Sequence, residues 1–170
     1  MSRSMMSNHS IGNFFKALAL PGTHIEDTLN IIGKSLEYKN VALVKDYSFS
    51  TPILTYPNEL MQVFLNLIKN ASDAFVDKGV SKPEITIRGF ETDDYLEVEI
   101  YDNAGGIPEE IMDKIFDPYF STKGPGIGTG LGLYMSRTIV QEHCRGQLWA
   151  RNTEEGACFT LKLPLEKQMP

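Results

Sequence analysis

Three groups of residues whose types suit the handling of a nucleotide follow one another between Asn66 and Gly132. The first is Asn66-Leu-Ile-Lys-Asn70-Ala-Ser-Asp73-Ala, in which the Asn70 amide oxygen is a neutral, hard ligand suited to Mg²⁺ held mainly by phosphates and water. The second is the turn Asp102-Asn-Ala104-Gly-Gly106. A carboxylate there accepts from the exocyclic amino group of adenine, and the glycines let base and backbone approach closely. The third is Ser121-Thr-Lys123-Gly-Pro-Gly-Ile-Gly128-Thr129-Gly130-Leu131-Gly132. Glycine at every second position gives a mobile loop that runs into a helix start, where free N–H groups attract phosphate. Lys123 adds a point charge within reach of a terminal phosphate.

Each group has a plainer reading. Asn66 and Asn70 alone are equally solvated helix polars, Asp102 alone an ordinary Asp-Asn-Ala-Gly turn, and the glycine run alone a flexible linker. Their order favours the nucleotide. Neither G-x-G-x-x-G nor G-x-x-x-x-G-K-[ST] occurs, so the dinucleotide and P-loop mechanisms find no support. His9, His24 and His143 form no metal-ligand pair and are read as structural or solvated, and no Ser/His/Asp or Cys/His nucleophile set stands out.

The elements that must position these groups follow from periodicity. Thr23-His-Ile-Glu26 has the form of a capping box, and Ile25, Leu29, Ile32 and Leu36 predict a helix over 25–38. Val41–Tyr47 and Pro52–Tyr56 read as strands joined in a hairpin. Pro57-Asn58 opens the most regular helix, with Leu60, Val63, Phe64, Leu67, Ala71, Ala74 and Phe75 as its apolar stripe and Asn66, Asn70, Asp73 and Asp77 as a second stripe beside it. Glu84–Phe90 and Tyr95–Tyr101 read as an antiparallel pair; the alternation of Leu96, Val98 and Ile100 carries on to turn Asp102 inward, with no obvious partner nearby. A short helix is expected over Glu109–Ile115, a loop over Phe116–Gly128, and a helix over Thr129–His143 with Leu131, Met135 and Ile139 toward the core. Strands Gln147–Asn152 and Ala157–Leu163 close an α+β two-layer sandwich.

A chain of 170 residues, 42% hydrophobic, suits one domain with a real core, here expected over 23–166 between a linker or disordered end at 1–22 and a tail at 167–170. The net charge of −6 argues against a nucleic-acid or anionic-membrane surface. Cys144 and Cys158 sit in no metal spacing and read as reduced core residues, which points to an intracellular, cytoplasmic setting. No apolar run reaches the roughly 18 residues of a membrane span, and the start lacks a signal peptide's apolar stretch.

These motifs resemble the catalytic, ATP-binding domain of bacterial sensor histidine kinases, within the gyrase and histidine-kinase ATPase superfamily. Asn66 to Ala74 is similar to the N box, Asp102 to Pro108 to the first glycine box, Ile115 to Lys123 to the F box, Gly128 to Leu133 to the second glycine box, and Glu155 to Thr160 to the closing strand. The form with Asp73-Ala and Ser-Thr-Lys before the lid resembles the nitrogen-regulatory type. The resemblance implies a Bergerat-type fold, a mostly antiparallel sheet of about five strands on about three helices. It implies ATP and Mg²⁺ as cofactors, Asn70 on the metal, and Asn66 and Asp73 beside the nucleotide. Asp102 would read adenine with Thr160 aiding through a water, and Gly106 would line the base. Lys123 and the run Gly128, Thr129, Gly130, Leu131, Gly132 would close on the triphosphate.

In ATP-hydrolysing relatives such as gyrase a Glu stands where this chain has Asn66, and a neutral amide cannot act as that base. The resemblance therefore implies phosphoryl transfer to a histidine, with Asn66 and Lys123 as the catalytic candidates and the acceptor imidazole as nucleophile. The family's acceptor sits in a helical hairpin ahead of this domain; residues 11–22, with Phe14-Phe15-Lys16, resemble the linker that follows it. The expected partners are that phosphoacceptor domain and, indirectly, a response regulator, with no nucleic-acid or membrane contact by a monomeric fragment. A regulatory module that holds ATP without turnover, or a superfamily hydrolase, are the alternatives.

Overall fold

The computed structural model describes residues 16–165. Elements run β1 (Ala17–Ala19), α1 (Pro21–Tyr38), β2 (Ala42–Asp46), β3 (Ile53–Thr55), α2 (Pro57–Lys78), β4 (Glu84–Glu91), β5 (Tyr95–Asp102), α3 (Glu109–Met112), α4 (Gly132–Thr138) continued by a π-helical turn (Ile139–His143), β6 (Gln147–Asn152) and β7 (Ala157–Pro164). The expected architecture holds: α+β, with a five-stranded sheet in the order β2-β4-β5-β7-β6 that is antiparallel except for the β2–β4 pair. Residues 17–22, read as linker, hold β1 and the first two residues of α1. The expected disordered start before residue 16 and the tail at 167–170 lie outside the described residues.

Helix α2 is the spine of the helical layer. Pro57 stands in its first turn, where the missing N–H costs nothing, and Gly79 ends it in the left-handed conformation with its N–H on Phe75 and Val76 carbonyls. Of the predicted stripe Leu60, Val63, Phe64, Leu67, Ala71 and Phe75 are buried and Ala74 is half-buried, with Ile68 buried beside them, so that side of the helix is the one packed into the core. Register then fixes the sheet's inner face: Leu96 opposes Leu163, Val98 opposes Leu161, Ile100 opposes Phe159. The same register puts Ile85 opposite Asp102, which extends the inner face to that carboxylate.

Four local expectations give way. The predicted hairpin of β2 and β3 does not form: β3 pairs antiparallel with β1, and β2 pairs parallel with β4 across the α2 crossover. The capping box is absent, because helix α1 starts earlier, at Pro21, and the Glu26 carboxylate turns to Tyr47 Oη at 2.5 Å and Lys45 Nζ at 2.9 Å. The short helix ends at Met112, not Ile115. In the last helix Met135 is 51% exposed and Ser136 and Val140 are buried instead, one position on, with Ser136 turned to α2, where its hydroxyl accepts from Asn66. No helix among the described residues is long and apolar enough to cross a membrane.

Candidate functional site

Helix α2 touches every sequence group singled out above. Near its middle, Asn66 Nδ2 donates to Ser136 Oγ at 3.1 Å and to the Gly132 carbonyl oxygen at 3.4 Å, which joins α2 to the start of α4. Two turns on, Asp73 Oδ2 accepts from Lys123 Nζ at 2.5 Å and Lys69 Nζ at 3.1 Å. At the helix end, Lys78 Nζ donates to the Gly106 carbonyl oxygen at 2.6 Å. Asn66 to Lys78 spans about 18 Å of helix axis at ~1.5 Å per residue. Asn70, half-buried, lies between the first two contacts on the same stripe. Contacts made along α2 thus run from the second glycine group, past the lysine of the third group, to the Asp102 turn, the last from Lys78, which projects from the apolar side of the helix, ~100° round from Asp77.

The Asp102 turn is stitched to the hairpin between β6 and β7. Asp102 Oδ1 accepts from the Ala104 N–H at 2.9 Å and the Ala157 N–H at 3.3 Å, and these are the partners that the sequence left unidentified. The Gly105 N–H donates to the Glu155 carbonyl at 2.9 Å. Asn152 grips the next residue from both sides, accepting from the Ile107 N–H at 2.8 Å and donating to the Ile107 carbonyl at 2.7 Å. Gly105 and Gly106 are left-handed (φ 81° and 85°), and a Cβ on Gly106 would sit 2.8 Å from Asn152 Oδ1. Burial pushes the Asp102 carboxyl above its ordinary range, against the Ala104 and Ala157 N–H groups and the Lys78 charge, which pull it down. Both bonds fall on Oδ1, so Oδ2 is the oxygen free to receive an amino group.

The lid joins the fold through a pinched neck. Tyr119 is left-handed (φ 63°), and a Cβ on Gly130 would lie 2.6 Å from the Tyr119 carbonyl carbon, so the two ends pack backbone to backbone. Before the neck, Phe116 anchors the chain by an edge-on contact with Phe159 at 6.3 Å between ring centres, with Arg137 over its face at 4.9 Å. Between the ends, Ser121, Thr122 and Gly124 to Thr129 are exposed, and Lys123 is half-buried against Asp73. Burial alone would raise the Asp73 carboxyl, but hydrogen bonds from Lys123 and Lys69 and their charges hold it below its ordinary range.

Thr160 is not brought to Asp102. It pairs with Glu99 across β5 and with Trp149 across β6, so it shares the outer face with Cys158, whereas Asp102 belongs to the inner one. Ala157 is the β7 residue that reaches Asp102. Sequence reasoning passed over Lys78, Asn152 and Gly156. The last left a signal, since a glycine at the tip of a hairpin beside a buried carboxylate suggests close approach. No cluster of three or more His, Cys, Asp or Glu among the described residues could hold a metal unaided.

Comparison with known proteins gives one answer. Residues 55–167 match the family described as histidine kinase-, DNA gyrase B-, and HSP90-like ATPase. The two-component sensor PprA of Pseudomonas aeruginosa is 38% identical over 111 residues, which are 64% of this chain and 12% of that protein. The sensory histidine kinase/phosphatase NtrB of Klebsiella oxytoca is 31% identical over 166 residues, 86% of this chain and 46% of that one. The chain therefore spans less than half the length of these curated relatives. Among solved structures, the catalytic domain of histidine kinase ThkA aligns with a TM-score of 0.76 at 25% identity, covering 88% of this chain and 95% of that one. The chain belongs to the histidine kinase-, DNA gyrase B- and HSP90-like ATPase family, with histidine kinase catalytic domains as its relatives in both sequence and structure.

Proposed function

We propose that this chain binds ATP beside α2 and passes its terminal phosphoryl group to a histidine on a separate phosphoacceptor domain, which a response regulator then relieves of it. The observation that carries the reading is the run of contacts on α2: Asn66 to Gly132, Asp73 to Lys123 and Lys78 to Gly106. They support a reading in which Asp102 meets the base toward one end of α2 and the glycine-rich lid meets the phosphates toward the other. Asp102 Oδ2 would accept from the adenine amino group, with Gly106 beside the ring. Gly128, Thr129, Gly130, Leu131 and Gly132 would offer backbone N–H groups to the phosphates, and Lys123 would exchange Asp73 for a phosphate oxygen.

Mg²⁺ would neutralise phosphate charge when bound. The donor set suits an ion that arrives with the triphosphate: Asn70 offers one neutral oxygen, and no acidic cluster competes for the metal among the described residues. Asn66 holds α2 to α4 through its amide and has no basicity with which to activate water. Transfer then depends on alignment of the phosphoryl group with an incoming imidazole.

The test mixes the purified chain with labelled ATP-Mg²⁺ and its cognate acceptor hairpin. Label on the hairpin is expected, and Asn70→Ala abolishes it. Tight ATP binding without label would leave a regulatory module, and steady phosphate release without any acceptor would leave a hydrolase.

A further inference from the structure

We infer that Lys78 is a positioning residue for base recognition: its ammonium, reaching from the last turn of α2 to the Gly106 carbonyl oxygen, holds the turn that presents Asp102 in its reading position. The inference rests on the proposal that Asp102 reads the base.

The turn needs outside support. Gly105 and Gly106 are left-handed and carry no side chains, and glycine loses more freedom on ordering than any other residue, so the bonds of Ala104 to Asp102 and of Gly105 to Glu155 leave Gly106 and Ile107 still to be held. That further support arrives at two adjacent residues from two different elements. Asn152, at the end of β6, takes both backbone groups of Ile107 and reaches Glu109 at 3.2 Å. Lys78 takes the Gly106 carbonyl at 2.6 Å. The plainer reading of Lys78 is a cation at a helix C-terminus, favoured by the helix dipole. That reading requires no bond to a residue 28 positions away, and this is the bond that the side chain makes.

The same ammonium acts on the ligand group itself. The charge of Lys78 favours the ionised form of Asp102 and opposes burial. Across the sheet from α2, a cavity of about 380 Å³ at the outer end of β4 and β5 also borders Asp102 and carries Glu84 and Arg88 from β4 and Glu154 and Glu155 from the β6–β7 turn. Lys78 is the charged group that acts on the Asp102 carboxylate from the helical side.

The experiment compares ADP binding by calorimetry between pH 5 and 9 for the wild-type chain, Lys78→Met, Lys78→Arg and Asp102→Asn. Lys78→Met should weaken ADP about fivefold at pH 7.5, and the pH at which binding fails on the acid side should move upward. Lys78→Arg should restore both affinity and profile, since a guanidinium also donates to the carbonyl. Wild-type affinity and an unmoved profile in Lys78→Met would overturn the inference, as would a loss equal at every pH. If instead Asp102→Asn binds ADP like the wild type, the site reading fails, whatever Lys78 does.

Discussion

Replacing Gly156 by alanine tests the junction between the β6–β7 hairpin and the end of β5. The backbone of Gly156 lies outside the left-handed region, so alanine meets no conformational penalty there and the effect is steric alone. Its Cβ would lie 2.0 Å from the Asp102 carbonyl oxygen, 2.7 Å from the carbonyl carbon and 2.6 Å from Oδ1. Two of these are backbone atoms of a paired strand and cannot swing aside, so the hairpin and strand must part by about 1 Å to reach tolerable contact. Overpacking of this kind costs ~1–3 kcal/mol, and each kcal/mol lowers the melting temperature by roughly 2–4 °C in a chain of this size. Separation also draws the Ala157 N–H from Asp102 and tilts Oδ2 from its line to the base, so ADP affinity should fall at least about tenfold, ~1.4 kcal/mol. Gly124→Ala is the control: nothing lies within 4 Å of its Cβ, and its backbone is not left-handed, so both stability and affinity should stay near wild type. Thermal melts with and without ADP, alongside calorimetric titration, measure both quantities. A Gly156→Ala chain that melts with the wild type and binds ADP equally would refute the claim that these backbones touch.

Asp102→Asn should abolish ADP binding yet stabilise the empty chain. Because burial raises the Asp102 carboxyl in the folded state, its favourable contribution is complete below about pH 3.9, the ordinary Asp value, and is lost as pH rises through the raised folded value. Denaturant melts should therefore show an advantage for the variant at pH 7 that vanishes near pH 3.5, and a wild type that remains the more stable at pH 7 would contradict this. Asp73→Asn should release Lys123, at a cost of ~1 kcal/mol for a partly exposed pair. Amide exchange over 117–130 should quicken in the variant, and slow exchange there in the nucleotide-free wild type would dismiss a mobile lid. Gly33→Ala, inside α1 with nothing within 4 Å of the new Cβ, should stabilise by ~0.5–1 kcal/mol through helix propensity, read as a higher melting midpoint.

Where a segment's own pattern decides its structure, the sequence was readable. The stripe on α2 and the alternation of Leu96, Val98 and Ile100 each name a buried face without reference to a partner, and the structure buries both. Extending that alternation by two residues also turned Asp102 inward correctly. Partner choice is a different matter. Val41 to Tyr47 and Pro52 to Tyr56 have strand composition, but nothing in them tells a hairpin from a crossover, and β2 found β4 beyond the whole of α2. Glu26 was a plausible cap until Tyr47 and Lys45 offered it better company from another element. The site shows the same division. Side chains bearing chemistry were visible as motifs, whereas Lys78 and Asn152 work by gripping backbone atoms of distant residues, and such contacts leave no motif. Thr160 was placed near the base by likeness to a closing strand, and the β-pleat moved it to the other side of the sheet.

The backbone junction of Tyr119 with Gly130 makes the intervening segment a closed handle whose girth is independent of the body it is fixed to. Doubling the length of such a handle adds only ~0.6 kcal/mol of closure entropy. Residues 124–127, which lie between Lys123 and Gly128, can accordingly be lengthened or shortened while the two ends stay joined, which makes the span of the handle adjustable without altering the residues at its base.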